Sequence, residues 1–204
     1  MKSIRDIYKI GKGPSSSHTM GPERAAKLFR SEHPEADAFQ VILYGSLSKT
    51  GVGHGTDRVI RQTLSPLPTE IIFGDDAPAG CHPNTLDFFA LKQGQQIGFL
   101  RVESVGGGDI RIPGQSHRDT ADVYPENSFA EIADFCKWRY IDKLSDYVEL
   151  NEGEDIWPFL SQVWQTMKNA IREGLQSEGV LPGGLKVQRK AKFQSCHFSY
   201  PLIY

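Results

Sequence analysis

Cysteine is scarce in this chain, and its three cysteines are widely spaced. Cys81, Cys136 and Cys196 form no Cys-x-x-Cys pair, so the sequence indicates neither a disulfide framework nor a zinc site. We expect reduced thiols with structural roles. No apolar run approaches the roughly 20 residues that span a bilayer, and residues 1–7 contain no signal-peptide core. These absences predict a cytoplasmic protein without a membrane segment.

An excess of charge of either sign is also absent. The chain has 23 lysines and arginines against 25 acidic residues, which gives a formal net charge of −2. Such a balance indicates no nucleic-acid partner and no strong attraction to a membrane surface. The small basic run at residues 186–192 lacks interleaved aromatic side chains and is typical of a solvated face. The Gly-x-x-x-x-Gly-Lys-Ser/Thr pattern of nucleotide-binding loops is missing as well.

A serine-rich segment is the most informative feature that is present. Residues 13–26 read Gly-Pro-Ser-Ser-Ser-His-Thr-Met-Gly-Pro-Glu-Arg-Ala-Ala. Pro22 suits the first position of a helix, and good helix formers follow it. A helix N-terminus favours a carboxylate or phosphate, and the preceding hydroxyls add donors; they belong to Ser15, Ser16, Ser17 and Thr19. The alternative is a serine-rich loop in which one hydroxyl caps the helix.

A glycine-rich segment follows the short apolar run of residues 39–44. Residues 45–57 contain four glycines and read as a loop that leaves a strand. Glycine lets the backbone approach a ligand closely, and it keeps His54, Thr56 and Asp57 clear of bulky neighbours. The alternative is a flexible surface loop whose histidine is solvated.

The first part of the chain alternates helix and strand patterns, which favours an α/β or α+β layer over a helical bundle. We predict helices at 22–31, 57–64 and 86–92, and the last of these is capped by Asn84 and ended by Gly94. We predict strands at 39–44, 69–73, 97–105 and 109–113. A turn at 106–108 joins the last two strands.

Helices dominate after a polar loop at 114–127. Ser128 opens a helix by the spacing of a capping box, and Glu154 or Asp155 begins a longer helix that Gly179 ends. One face of the longer helix carries an apolar stripe, which the spacing predicts to be core; it consists of Ile156, Leu160, Val163, Trp164, Met167, Ile171 and Leu175.

Five motifs together resemble iron–sulfur L-serine dehydratase. They lie at residues 3–22, 45–57, 82–85, 105–110 and 179–187, and the resemblance covers most of residues 3–192. It implies an α+β fold. Residues 1–130 resemble the α/β-layered β domain of this family, and residues 131–204 resemble the first helices of its catalytic α domain, an all-helical segment.

The resemblance also implies a reaction, which is the β-elimination of water from L-serine to give pyruvate and ammonia, with L-threonine as the alternative substrate. The implied cofactor is a 4Fe-4S cluster in which one iron acts as a Lewis acid on the hydroxyl. His54 is then the leading candidate for the base, and His18 is its rival. Substrate binding falls to the two glycine- and serine-rich segments, through Ser15, Ser16, Ser17, Thr19, Gly55, Thr56 and Asp57.

The chain departs from the family at its C-terminus, because the family's cluster-binding cysteines lie beyond the position that corresponds to Tyr204. We therefore expect the cluster ligands in that further part, since the spacings of the three cysteines match no cluster motif. The alternative function is a non-catalytic module that binds a small anion or an amino acid, or the product of a truncated gene. By resemblance we also expect a homodimer, and the apolar helices at 128–178 favour self-association.

Overall fold

The computed structural model shows two structural units. The sheet unit comprises Gly11–His117 and Leu181–Val187, and the helical unit comprises Met1–Ile10, Arg118–Val180 and Gln188–Tyr204. The domain boundary expected at residue 130 stays a prediction. The structure describes residues 1–13, 15–115, 121–181 and 186–197.

Within its described residues the sheet unit has one five-stranded mixed sheet and three helices. In chain order the elements are α2 (Met20–Glu32), β1 (Ala38–Leu43), α3 (Gly45–His54), α4 (Thr56–Leu64), β2 (Thr69–Phe73), β3 (Thr85–Lys92), β4 (Gln95–Gly106) and β5 (Asp109–Arg111). The strands follow the spatial order β2-β1-β3-β4-β5, in which β1 and β2 are parallel and the other neighbours are antiparallel.

The core of this unit lies between one face of the sheet and its helices. Alternate residues of β1 are buried, as expected for a strand with one covered face. Phe29 of α2 is fully buried, and its ring centroid lies 5.6 Å from that of Phe88 on β3 and 5.9 Å from that of Phe39 on β1. The helices therefore hold the serine-rich segment and the glycine-rich segment against a closed core.

Two secondary-structure assignments for this unit are wrong. Residues 45–54 form helix α3 where a loop was expected, because the fully buried Leu47 packs into the core and tertiary packing overrides the low helix propensity of glycine. Residues 85–92 form strand β3 where a helix was expected. This segment pairs with strands on both sides, and the Asn84 side chain donates to the Ser104 carbonyl at 3.4 Å instead of capping a helix.

The remaining elements of the sheet unit confirm the sequence pattern within a few residues. The strand at 69–73 and the hairpin across residues 106–108 are present, and all three turn glycines have positive φ angles. Helix α2 begins at Met20, so Pro22 is its third residue and not its first.

The helical unit contains five helices within its described residues. Ser128 caps α5 as predicted, since its hydroxyl accepts from the Glu131 amide at 3.2 Å. Helices α1, α6 and α8 were not predicted. The bounds are α1 (Ile4–Ile7), α5 (Phe129–Arg139), α6 (Leu144–Glu152), α7 (Ile156–Gln176) and α8 (Ala191–His197).

The apolar stripe of α7 is only partly core. Ile156 and Val163 are buried, whereas Trp164, Met167 and Ile171 are 55%, 47% and 56% exposed. The core prediction is wrong for these three side chains.

The sheet with helices in the first part of the chain and the helices of the second part confirm the α+β class. Among the described residues, no helix is long and apolar enough to cross a membrane.

Candidate functional site

A pair of histidines stands where the two conspicuous sequence segments meet in the sheet unit. His18 lies in the turn that precedes α2, and His54 is the last residue of α3. Their ring centroids are 4.5 Å apart. Ser46, Thr50 and His54 are spaced four residues apart, so they share one face of α3. This face brings two hydroxyls and a second imidazole to His18.

His18 is surrounded by hydroxyl groups. Its Nε2 lies 3.0 Å from Thr50 Oγ1 and 3.2 Å from Ser46 Oγ, and its Nδ1 lies 3.1 Å from both Ser15 Oγ and Ser17 Oγ. The Thr50 hydroxyl donates its proton to the Ser46 carbonyl at 2.8 Å, so Thr50 Oγ1 must accept from His18. The network thus assigns the proton of neutral His18 to Nε2 and leaves Nδ1 to accept from a serine.

The environment of His18 favours the neutral imidazole. Burial lowers the pKa of His18 below its usual value, and the neighbouring His54 lowers it further, while a hydrogen bond to the Ser46 backbone opposes the shift. His18 is 9% exposed. It is therefore a positioned and mostly enclosed ring, neutral near pH 7.

His54 has the opposite arrangement of ring nitrogens. Its Nδ1 lies 3.0 Å from the Thr50 carbonyl, and a carbonyl only accepts, so the proton is on Nδ1. Nε2 then carries the lone pair, and within the described chain it has no hydrogen-bond partner. His54 is half-buried and lines a cavity. This nitrogen has the geometry of a base that is open to a ligand.

The serine-rich segment uses most of its donors internally. The amides of His18 and Thr19 donate to the Ser15 carbonyl, and the amide of Gly21 donates to the Ser16 carbonyl. The Thr19 hydroxyl, on a side chain that is almost fully buried, donates to the Ser15 carbonyl at 2.7 Å. The predicted carboxylate-holding role of this segment stays a prediction, and these bonds restrict the donors that remain for a ligand.

The glycine-rich segment supplies the junction between α3 and α4. The buried Thr56 hydroxyl donates to the His18 carbonyl at 2.7 Å, which ties the start of α4 to the histidine turn. Gly55 has φ +76°, a conformation that favours glycine. Asp57 lies in the first turn of α4, where the helix dipole favours a carboxylate.

A cavity of about 260 Å³ lies beside the histidine pair. Among the described residues, the charged side chains that line it are the cations Lys12 and Arg58, and no carboxylate is among them. The lining residues are Lys12, Gly13, Thr19, His54, Gly55, Arg58, Val59 and Gln62. The cavity suits a small, negatively charged ligand.

Four residues of this site were not identified from the sequence. Ser46 and Thr50 were not identified because residues 45–54 were interpreted as a loop, although the spacing of these two residues with His54 is helical. Lys12 and Arg58 carry no sequence signal of their own, because a single cation in a polar segment is ordinary.

The donor set for an iron–sulfur cluster is not present in the described part of the chain. Cys81 and Cys136 are both half-exposed and belong to different units, and Cys196 lies where no side chain is described. Among the described residues, no group of three His, Cys, Asp or Glu side chains is arranged to hold a metal ion. These residues do not fit the cluster.

Comparison with known proteins gives consistent matches. Residues 3–67 match the family model of the serine dehydratase beta chain. L-serine dehydratase 2 of Escherichia coli K12 is 30% identical over an alignment that covers 94% of this chain and 53% of the relative. L-serine dehydratases of Haemophilus influenzae and Streptomyces coelicolor are 30% and 29% identical, with 94% and 93% of this chain and 53% of each relative covered.

The chain therefore spans about half the length of the curated relatives it matches. The family-model match includes His18 and His54, the two histidines of the candidate site. Over the aligned part the chain is similar to L-serine dehydratases, and its first third matches the serine dehydratase beta chain.

Proposed function

We propose that this chain supplies the substrate-binding and proton-transfer part of an L-serine dehydratase in the cytoplasm. The observation that carries the proposal is the unpartnered Nε2 of His54, which faces no competing donor in the described chain and belongs to a side chain that lines a cation-lined cavity. In the proposed reaction the base takes the proton from Cα of L-serine. The electron pair left behind forms the Cα–Cβ double bond as the bond from Cβ to the hydroxyl oxygen breaks. The hydroxide that leaves takes up a proton and becomes water, and the aminoacrylate that remains hydrolyses to pyruvate and ammonia.

His54 suits the base better than His18 does. Both nitrogens of His18 are engaged by hydroxyls, and its burial opposes protonation. His54 has one nitrogen fixed by a carbonyl, and the other is left to accept a proton. Because the Nδ1 proton is held by a backbone carbonyl, the imidazolium formed on proton transfer keeps a partner for that N–H.

His18 acts in this proposal as a positioning residue for its neighbour. The hydroxyls of Ser15, Ser17, Ser46 and Thr50 fix its ring, and that ring packs at 4.5 Å from His54. Ser16, Thr19, Gly55, Thr56 and Asp57 complete the proposed substrate-binding region, in which Thr19 and Thr56 act through the backbone carbonyls that they hold.

The family resemblance assigns the loss of the hydroxyl to a 4Fe-4S cluster. Since the described residues do not fit a cluster, the proposal covers the proton-transfer half of the reaction only. L-threonine is the alternative substrate, because it shares the hydroxyl on Cβ and differs by one methyl group.

Binding of L-serine tests the proposal directly. We expect L-serine to shift the ring ¹⁵N resonance of His54 Nε2 in the 204-residue protein. His54→Gln should abolish this response, whereas His33→Gln, a histidine variant away from the pair, should keep it. If L-serine at tens of millimolar, far above a usual KM, leaves the His54 resonance unchanged, the proposal fails.

The absence of a cluster donor set among the described residues favours a second candidate function, a non-catalytic module that binds a small anion or an amino acid. Anaerobic reconstitution with iron and sulfide, followed by a pyruvate assay with L-serine, separates the two. Pyruvate formation that His54→Gln abolishes identifies the enzyme. Binding of L-serine without pyruvate in the reconstituted protein favours the binding module.

A further inference from the structure

The two cations beside His54 lack the partners that other cations of the sheet unit have. Arg101, Arg111 and Lys49 each form an ion pair with a carboxylate, at 2.6 Å. Lys12 instead donates to the neutral amide of Gln62 at 2.7 Å. Within the described residues neither Lys12 nor Arg58 forms an ion pair. Their charges are thus available to an anion from solution.

In the neighbouring, larger cavity, two of the cations have partners within the protein. It measures about 900 Å³ and shares Lys12 and Gln62 with the smaller one. Its Lys27 pairs with Glu23 at 2.6 Å, and its Arg30 donates to two backbone carbonyls at 2.8 Å each. These two cations have structural partners, and the larger cavity is not the better anion site.

Gly55 fixes where the Arg58 guanidinium lies. A Cβ atom built on Gly55 would come within 2.9 Å of Arg58 Nη2, so the guanidinium packs against the backbone of the residue that follows His54. Any larger residue at 55 would displace it. Asp57, the carboxylate next to Arg58 in sequence, is not among the residues that line the cavity.

Three of the four hydroxyls that were expected to hold a carboxylate have hydrogen-bond partners within the protein. Ser15 and Ser17 lie at hydrogen-bonding distance from His18 Nδ1, and Thr19 donates to backbone carbonyls. A carboxylate held only by this turn would compete with those bonds. The cavity offers two charge-assisted donors, of which Lys12 has a neutral partner in Gln62 and neither has an ion pair within the described residues.

We propose that Lys12 and Arg58 form an oxyanion site that holds the carboxylate of the ligand next to His54. This inference rests on the proposed function, because it takes the occupant to be the α-carboxylate of the substrate. A carboxylate placed there brings the adjoining Cα within the neighbourhood of the His54 imidazole. The described lining residues include no carboxylate for the substrate ammonium, so recognition of the amino group falls to other residues.

Four small probes separate carboxylate recognition from other binding. They are L-serine, L-glycerate (a carboxylate without an ammonium), serinol (an ammonium without a carboxylate) and inorganic phosphate, titrated into the full 204-residue chain by calorimetry. We expect L-serine and L-glycerate to compete for one site, L-glycerate to bind at least as tightly as L-serine, and serinol not to bind. Affinity should fall as the salt concentration rises.

Substitution of the cations tests the assignment. Arg58→Gln and Lys12→Gln should each weaken L-glycerate binding about tenfold or more, and Arg58→Lys should restore part of the affinity. Lys49→Gln, which removes an exposed cation paired with Asp76, should leave the affinity unchanged. Circular dichroism of each variant establishes that it is folded.

Two results would overturn the inference, and they differ from the failure of the proposed function. If L-serine binds equally to wild type and to the Lys12→Gln, Arg58→Gln double variant, the carboxylate is held elsewhere while the proposed function stands. If phosphate alone binds in an Arg58-dependent manner, the site exists but its occupant is not the substrate carboxylate. Arg58-dependent binding of L-glycerate without any response to L-serine supports the oxyanion site and contradicts the proposed function.

Discussion

The sheet unit and the helical unit differ in how they bury apolar side chains. The sheet unit closes a continuous core in which Phe29, Leu64 and Phe88 are fully buried. Among the described residues of the helical unit, the buried hydrophobic side chains are Tyr124, Tyr147, Ile156 and Val163. Large apolar side chains of that unit remain at the surface; they include Phe129, Trp138, Tyr140, Leu144, Leu150, Trp164 and Ile171.

The difference shows that the candidate site is built on the part of the chain with its own core. The histidine pair is held by elements that pack against the core of the sheet unit, and this packing fixes the positions of the two rings. The helical unit relies instead on polar contacts, such as those of Glu152 with Ser3 Oγ, the Ile4 amide and Tyr124. Its amphipathic helices leave an apolar surface of the kind that other proteins use for association.

Truncation of a core side chain in the sheet unit should lower the free energy of unfolding far more than truncation of an exposed side chain in the helical unit. Phe29→Ala removes a fully buried ring that contacts two others, and we expect a loss of about 3–5 kcal/mol in the free energy of unfolding. Phe129→Ala, at a side chain that is 74% exposed, should change it by less than about 0.5 kcal/mol. Urea denaturation followed by circular dichroism measures both, and equal losses would contradict the contrast.

Two ion pairs offer a matched comparison of slightly smaller effect. Arg101 contacts both oxygens of Asp87, whose side chain is 3% exposed, so Arg101→Met leaves a buried charge without its partner and should cost about 3 kcal/mol. Arg5 pairs with Asp155, which is 78% exposed. Arg5→Met should cost less than about 1 kcal/mol, and a larger loss there would show that the helical unit depends on its ion pairs.

The loss of stability in acid can be compared between the two units, because each contains one glutamate whose pKa is lowered. Burial alone would raise the pKa of Glu103, but hydrogen bonds from the His82 amide and Arg111 outweigh it and lower the pKa below the usual value of 4.5. The pKa of Glu152 is likewise lowered, because bonds from Ser3, Ile4 and Tyr124 outweigh burial.

A carboxyl group with a lowered pKa stabilises the fold above its unfolded value, and that stabilisation is lost as the pH falls through the folded value. Glu103→Gln should therefore flatten the loss of sheet stability that occurs as the pH falls below about 4.5. Glu152→Gln should have the same effect on the stability of the helical unit. Tryptophan fluorescence follows the unfolding of that unit, because Trp138, Trp157 and Trp164 all lie in it. An unchanged pH slope in either variant would exclude its glutamate as the titrating group.

Substitution at the exposed stripe of α7 should have the smallest effect on folding. Trp164→Ser changes a side chain that is 55% exposed, and the expected change in unfolding free energy is within about 0.5 kcal/mol. The homodimer implied by resemblance stays a prediction. If it uses this stripe, Trp164→Ser should raise the dimer dissociation constant in sedimentation equilibrium, whereas Gln165→Ser should not.

Much of the fold follows from local patterns, and the failures have a common physical cause. The strands at 39–44 and 69–73 and the Ser128 cap were predicted because alternation and capping are local signals. Residues 85–92 were misassigned because the segment is a nearly continuous apolar run, and such a run does not by itself separate a central strand from a buried helix.

The candidate site was predictable only in the part that local motifs identify. The histidines and serines stand in conspicuous motifs, so their proximity was a reasonable expectation, and the structure brings His18 and His54 together. The hydroxyl network around His18 and the cations of the cavity depend on which face α3 presents and on where α4 begins. Those are tertiary facts that no single segment encodes.

The bond between His54 Nδ1 and the Thr50 carbonyl joins residues four apart within one helix. The tautomer of His54 is thereby a consequence of backbone winding: unwinding the last turn of α3 releases the N–H and lets the proton move to the other nitrogen. An event that tightens or loosens this helical turn would therefore change which ring nitrogen of His54 carries the lone pair, without touching the imidazole.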